Sequence, residues 1–264
     1  MGILNVTPDS FAESAPRLEP TAAIDWALQM EAAGADLIDL GGESTRPGAE
    51  PVSAGDELAR ILPVLQGLSG RLRVPVSIDT YKADVARAAL EAGASLVNDV
   101  SGLRYDPALA QVAAEGRAGL ILMHMRGRPD AMYQEAQYGD VVADVAGELR
   151  ERVAVAVAAG VAIERVIVDP GIGFAKRPTD SYGVLARLPE LIAAMARPLL
   201  VGPSRKSFMA DSLDGRVARE RDWGTAAAVT AAVLAGAHIV RVHAVAEMAQ
   251  VVRVAEEIRK AGNA

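Results

Sequence analysis

The chain is expected to fold as a single (β/α)8 barrel of the α/β class over residues 1–264, and three observations carry that expectation. First, one short phrase returns four times, as Ala33-Gly34-Ala35, Ala92-Gly93-Ala94, Ala159-Gly160-Val161 and Ala235-Gly236-Ala237, each closing an Ala-rich stretch. A glycine just past a helix end supplies the left-handed cap, and β-branched or Leu residues follow each phrase, so each reads as helix, cap, buried strand. Second, these glycines stand 59, 67 and 76 residues apart, about twice one βα unit, so a further strand is expected between each pair. Third, the apolar runs lack polar alternation, as parallel strands covered on both faces do.

In chain order, the opening strand is Gly2 to Val6, and Thr21 precedes the helical pattern Ile24, Ala27, Leu28. A strand at Leu37-Ile38 follows, and Ser53 with Asp56 resembles a capping box before Leu58, Ile61 and Leu65. Val74 to Ile78, Leu96-Val97, Leu120 to Met123, Val166 to Val168, Leu199 to Val201 and Ile239-Val240 supply the remaining strands, separated by helical patterns. An open doubly wound sheet would usually show fewer strands and a Gly-rich dinucleotide fingerprint near the first one; the sequence has none.

Composition narrows the function. The 264 residues are 51% hydrophobic and 23% charged, which is ordinary for a globular protein and leaves ample chain for a core. Cysteine is absent, so neither disulfides nor thiolate metal sites exist, and three histidines make a poly-histidine zinc site an unlikely reading. A net charge of -7 without a basic stripe argues against nucleic acid. The apolar stretches at 153–163 and 226–237 fall short of a membrane span. No export signal follows Met1, so a cytoplasmic location is expected.

In such a barrel the chemistry sits where strands end, and there the residues turn polar. They are Asn5, Asp39 with Gly41 to Arg46, Asp79, Asn98 with Asp99, His124, Asp169, Ser204-Arg205-Lys206, and Arg241 with His243. Around one mouth they would form a pocket of carboxylates, amides, cations and two imidazoles. Asp79, Asn98 and Asp169 suit a flat heterocycle with several N–H groups, because a carboxylate accepts two parallel hydrogen bonds. Arg46, Arg241 and His243 suit an anion such as phosphate or diphosphate. Nucleophilic catalysis by the protein is disfavoured, since no cysteine exists and nothing in the sequence places a His/Asp pair beside Ser204.

Eight strings at these strand ends, in order and at matching spacing, resemble dihydropteroate synthase, a family of pterin-binding TIM barrels. They are Gly2 to Phe11, Gly41 to Gly48, Ser77-Ile78-Asp79-Thr80, Asn98-Asp99, Met123-His124-Met125, Asp169 to Phe174, Ser204 to Ser207 and Arg241-Val242-His243. The resemblance covers essentially the whole chain. It implies a transferase of folate synthesis that joins 6-hydroxymethyl-7,8-dihydropterin diphosphate to 4-aminobenzoate and releases diphosphate. Gly42 to Pro47 and Ser204 to Lys206 argue against the methyltetrahydrofolate methyltransferases, whose donor has neither diphosphate nor aniline to accommodate.

The resemblance further implies that Asp79, Asn98, Met123, Asp169 and Lys206 hold the pterin, and that Asn5, Arg46, Arg241 and His243 meet the diphosphate, with Mg²⁺ at Asn5. Thr45, Pro47, Phe174 and Ser204 are implied for 4-aminobenzoate, Ser204 where a helix begins, so that its N-terminus favours the carboxylate. Asp79, Lys206, Arg241 and His243 are the implied catalytic set. Loops 6–20 and 41–53 are implied as lids, sulfonamides as inhibitors, and a homodimer through the later helices, with 226–237 contributing. His238, at the start of the last strand, is expected to be structural. Two departures stand out: Ala12 to Pro16 lacks the family's usual glycines, and Pro203 and Ala175 replace commoner residues beside the implied 4-aminobenzoate site.

Overall fold

The computed structural model describes residues 1–7, 19–44, 50–128 and 134–262. Among them strands and helices alternate: β1 (Gly2–Asn5), α1 (Pro20–Ala32), β2 (Ile38–Gly41), α2 (Ala54–Leu68), β3 (Val76–Asp79), α3 (Ala83–Glu91), β4 (Leu96–Asp99), α4 (Ala108–Glu115) and β5 (Gly119–Met123). The order continues with α5 (Val141–Ala158), β6 (Val166–Asp169), α6 (Pro178–Ala186), α7 (Leu188–Met195), β7 (Leu200–Val201), α8 (Asp222–Leu234), β8 (Ile239–Val240) and α9 (Val245–Gly262). Every strand expected from sequence is present.

Strands β1 to β6 pair in parallel and in chain order, and β7 pairs with β8. Two single parallel bridges, Val168 with Leu199 and Gly2 with Val242, join these sheets at both seams. At the second seam Ile3 N donates to Val242 O at 3.0 Å, and Val242 N donates to Met1 O at 3.0 Å. The sheet therefore closes into a barrel.

The four repeated phrases work as caps. Gly34, Gly93, Gly160 and Gly236 all lie at φ between +100° and +108°. In each case the next amide reaches back to the helix, Ala35 to Met30 O, Ala94 to Ala89 O, Val161 to Ala156 O and Ala237 to Ala232 O, at 2.9–3.1 Å, which is the Schellman pattern. A fifth cap is hidden from a glycine search: Arg117 takes φ +49° while Ala118 N reaches Ala113 O at 2.9 Å.

Three local expectations change. Helix α1 begins at Pro20 rather than after Thr21, because proline's fixed φ suits the first helical position. Between β6 and β7 two helices replace one, with Pro189 starting the second. No α-helix begins at Ser204; short 3-10 turns at Ser207–Met209, Asp211–Leu213 and Ala218–Glu220 precede α8. At Ser53 the expected cap holds, with Oγ accepting Asp56 N–H at 3.1 Å.

Side-chain alternation along the strands separates two packing regions. Leu4, Ile38, Leu40 and Ile78 pack outward with residues of α1, α2 and α9, while Val97, Leu120, Leu122 and Val166 pack outward with α3 and α4. Inside, Met1, Leu37, Ile121 and Leu200 cluster with Leu96, Ile167 and Ile239 across the barrel. Two residues further along the same strands stand Asp39, Asn98, Met123, Asp169 and Arg241. With a side-chain period of two, the polar layer sits directly on an apolar plug, and it faces the C-terminal mouth.

Two glycines test the backbone logic. No atom lies within 4 Å of a Cβ added at Gly93, so Gly93→Ala carries only the strain of φ +108° and is expected to lose about 1–2 kcal/mol. Gly147 lies inside α5 with equally open space, so Gly147→Ala is expected to gain about 1 kcal/mol. Urea unfolding midpoints at unchanged slope check both signs.

Candidate active site

Arg241, just beyond β8, bridges the barrel mouth. Its Nε donates to Asp39 Oδ2 at 2.6 Å and its Nη2 to Asp79 Oδ2 at 2.7 Å. Asn98 Nδ2 donates to the same Asp39 oxygen at 3.0 Å. Strands β2, β3, β4 and β8 are thus tied by one polar array. Asp39 is fully buried, and Asp79, Asn98 and Asp169 are buried as well.

Burial sets the electrostatics. It pushes the Asp79 carboxyl up to about 7 against the pull of Arg241, with Asp39 adding to the rise. Burial also works against the charge on Arg241, but Asp39 and Asp79 outweigh it and hold the guanidinium above its usual value. Asp169 is raised by burial, opposed by Lys206 and by Gly171 N–H, which donates to its Oδ1 at 2.7 Å. Lys206 is lowered to about 8 by burial, with Asp169 resisting. A carboxyl and an ammonium poised near neutrality in one cup can each hold or release a proton as a ligand requires.

The turn after β6 completes the cup. Lys206 Nζ donates to Ile172 O and lies 4.3 Å from the centre of the Phe174 ring. Phe174 also packs against the cluster of Met123, Met125, Val100 and Ala175. Close approach requires glycine here: a Cβ at Gly171 would stand 2.0 Å from His124 O, and one at Gly173 would stand 2.9 Å from Lys206 Cδ. Ala175 takes φ +46°, a left-handed conformation. Ser204 Oγ meets His243 Nδ1 at 2.9 Å and accepts His243 N–H at 3.2 Å, tying the ends of β7 and β8.

The structure thus gathers Asp79, Asn98, Met123, Asp169, Phe174, Lys206 and Arg241 in one mouth, with Asn5 at the end of β1 and the Ser204–His243 pair at the β7/β8 edge. Thr45, Arg46 and Pro47 lie outside the described residues, as do most of the two implied lids. Three strand-end residues do not join the cup. His124 is fully buried behind β5 against Lys176 and Glu148, because alternation turns it outward when Met123 faces in. Arg205 makes a two-pronged ion pair with Asp222 at 2.8 Å. Asp99 accepts Ser101 N–H at 2.8 Å and Leu103 N–H at 2.6 Å, shaping the loop after β4. His238 Nδ1 accepts Leu199 N–H at 3.1 Å, a structural contact at the far rim.

Asp39, which the sequence places at the mouth without a role, is the hub of this array; its spacing two residues after inward-facing Leu37 is the available signal. Glu43, in the Gly41 to Gly48 string, is likewise anchored, accepting Tyr81 OH at 2.7 Å and pairing with Lys82. Lys82 also reaches buried Glu57 at 2.5 Å, so the second loop leaves the barrel from a fixed root.

A hard cation needs oxygen ligands. Among the described residues no trio of His, Cys, Asp or Glu converges. Asn5 Oδ1, however, borders space kept open by Gly41, where a Cβ would come within 3.3 Å of that oxygen and 3.8 Å of Asp79 Oδ2. A single side-chain oxygen of this kind fits Mg²⁺, which is usually held by few side chains plus substrate phosphates.

The Asp79 environment has a measurable sign. Its carboxyl titrates near 7 when folded against 3.8 ordinarily, so the folded state binds the extra proton and stability falls as pH rises through that interval. Asp79→Asn removes this loss. Relative to the parent, the variant is expected to gain on the order of 3 kcal/mol between pH 4 and pH 8, and chemical unfolding at both pH values checks it.

Comparison with known proteins agrees with this geometry. Residues 1–243 match the profile of the family described as pterin binding enzyme. The chain is 48% identical over 258 residues to the dihydropteroate synthase of Synechocystis sp., covering 98% of this chain and 89% of that one. Its fold superposes on the Yersinia pestis dihydropteroate synthase, solved with a sulfonamide drug, at TM-score 0.94 and 41% identity, covering 98% and 94% of the two chains. It also superposes on the Burkholderia cenocepacia enzyme, solved with 7,8-dihydropteroate, at TM-score 0.89 and 45% identity, covering 100% and 92%. With the barrel, its polar mouth and these relatives together, the chain belongs to the dihydropteroate synthase family of pterin-binding enzymes.

Proposed function

We propose that this chain is a transferase that condenses 6-hydroxymethyl-7,8-dihydropterin diphosphate with 4-aminobenzoate, giving 7,8-dihydropteroate and diphosphate in folate synthesis. The observation that carries the reading is the buried trio of Asp79, Asn98 and Asp169, with half-buried Lys206 beside it and a rim arginine bonded to Asp79. It offers a flat, multiply hydrogen-bonding heterocycle a matched floor, and it offers an anion a cation above.

In this reading Asp79 and Asp169 accept from the pterin N–H groups, Asn98 and Lys206 donate to its acceptors, and Met123 covers an apolar face. Arg241 and His243 meet the diphosphate, together with Arg46. The C–O bond of the pterin methylene breaks with its electron pair on the departing diphosphate oxygen, leaving a resonance-stabilised cation beside Asp79 and Asp169. The aniline nitrogen, held by Phe174, Ser204, Thr45 and Pro47, then forms the new C–N bond and loses a proton to solvent. Asn5 would hold Mg²⁺, which when bound would add positive charge beside the diphosphate. The protein's part is fixed charge aimed at where charge develops, with the implied lids keeping out water that would compete for the cation.

Among the described residues no helix is long and apolar enough to cross a membrane; a cytoplasmic location is a separate part of the proposal. A homodimer through the later helices is part of the proposal; Trp223 on α8 is 88% exposed and Val254 and Ile258 on α9 are more than half exposed, apolar surface of the kind that a partner covers. Sulfonamides, as mimics of 4-aminobenzoate, are proposed competitors at the Phe174 side.

The test follows diphosphate release and dihydropteroate together, with and without 4-aminobenzoate. One-to-one release that is lost with EDTA and restored by Mg²⁺ is expected; pterin diphosphate binding without dihydropteroate would instead identify a silent pterin-binding homologue. In the same assay Lys206→Met is expected to lower kcat/KM about 10²-fold, the usual effect of removing one preorganised electrostatic group.

A further inference from the structure

One fully buried base takes no part in the reaction as described. Lys176, 1% exposed, lies beneath the 171–175 turn, where its Nζ contacts His124 Nδ1 at 2.9 Å and donates to Phe174 O at 3.2 Å. Among the described residues no carboxylate forms an ion pair with it. A buried ammonium supported only by the more distant carboxylates of Asp169 and Glu148 is costly, and an apolar side chain of similar volume would serve packing at least as well. What an apolar side chain cannot do is donate to the Phe174 carbonyl.

The surroundings show what that donation holds in place. Successive carbonyls of the turn are each tied to a different element: Ile172 O to Lys206 Nζ, Phe174 O to Lys176 Nζ, and Ala175 O to Tyr138 OH at 2.7 Å. Gly171 rests against His124 O, so the turn cannot sink further toward β5. On the far side of His124, Nε2 lies 3.3 Å from Glu148 Oε2, and Glu148 is clamped by Arg126 and Arg104. The imidazole is therefore a fixed post between α5 and the turn. Burial keeps that ring neutral at pH 7, its pKa lowered to about 4, so Nδ1 is free to accept from Lys176 while Nε2 carries the hydrogen.

We propose that Lys176 is a positioning residue for the aromatic co-substrate, acting through Phe174 rather than on the substrate itself. By locking the Phe174 carbonyl to His124, it sets the height of the 171–175 turn and hence the place of the Phe174 ring beside Lys206 and Met123. This rests on the reading of Phe174 as the surface that receives 4-aminobenzoate. Asp79, Asn98 and Asp169, the pterin contacts on β3, β4 and β6, form no hydrogen bond with Lys176, and Met123 and Lys206 are reached only through its neighbours His124 and the 171–175 turn, so the aromatic co-substrate responds more strongly than the pterin to its loss.

Steady-state kinetics of the full chain decide it. The parent protein is assayed first: if it forms no dihydropteroate, the functional reading fails, independently of Lys176. With an active parent, Lys176→Met is expected to raise the KM for 4-aminobenzoate about 10-fold or more. The KM for the pterin diphosphate and kcat should each move less than about 3-fold, with the variant still folded at the assay temperature. An unchanged KM for 4-aminobenzoate, or equal rises for both substrates, overturns the proposal, because a merely structural lysine predicts those results. If Lys176→Met does not fold, Tyr138→Phe unties only the neighbouring carbonyl. It is expected to raise the same KM about 3-fold and to leave that for the pterin unchanged, and no shift there overturns the proposal equally.

Discussion

A charged layer seated on an apolar plug inside a closed barrel needs compensation, and Arg241 supplies most of it. Three carboxylates, Asp39, Asp79 and Asp169, turn into the same narrow mouth and are almost completely removed from water. Left alone, they would neutralise by taking up protons or force the mouth apart. A guanidinium that reaches across β1 from the end of β8 to bond Asp39 and Asp79 offsets the repulsion and ties β8 to β2 and β3. Lys206 plays the corresponding part for Asp169. The pairing suits function better than stability, since a buried ion pair of this kind seldom outperforms packed apolar residues. It leaves Asp79 titrating close to neutrality, where its charge can respond to the ligand above it.

Around that array the remaining structure controls placement. Helix caps with a common geometry return the chain to β2, β4, β5, β6 and β8. The turn after β6 is held from below by Lys176 and Tyr138 and from the side by Lys206, and it presents an aromatic ring at the edge of the polar cup. The root of the second loop is secured separately, by Glu43 with Tyr81 and Lys82 and by Lys82 with Glu57. A rigid floor, an anchored aromatic wall and a firmly rooted loop are the parts that a reaction through an unstable cation requires, because both partners must be in place before the leaving group departs.

Much of this was legible along the chain. The repeated Ala-Gly phrases announce four caps because only glycine takes φ near +100° without strain, and the uninterrupted apolar runs announce strands covered on both faces. The same logic missed the cap at Arg117, where a side chain tolerates the left-handed conformation and leaves no glycine to find. Asp79, Asn98 and Asp169 could be assigned from strand-end position alone. His124, at an equally good position by that rule, turned the other way, because one residue along a strand reverses the face.

The sequence by itself determined the barrel, its strand count and the polar character of the mouth, since these follow from periodicity, cap chemistry and residue type, all of which are local. Tertiary structure decided which of the polar residues meet. Asp39 became the hub only when β8 closed beside β1 and brought Arg241 to it across 202 positions of chain. Lys176 became a buried support only when the turn after β6 folded over β5. Such contacts depend on strand register and on how far each turn sinks toward its neighbour, and neither quantity is written in the local order of residues.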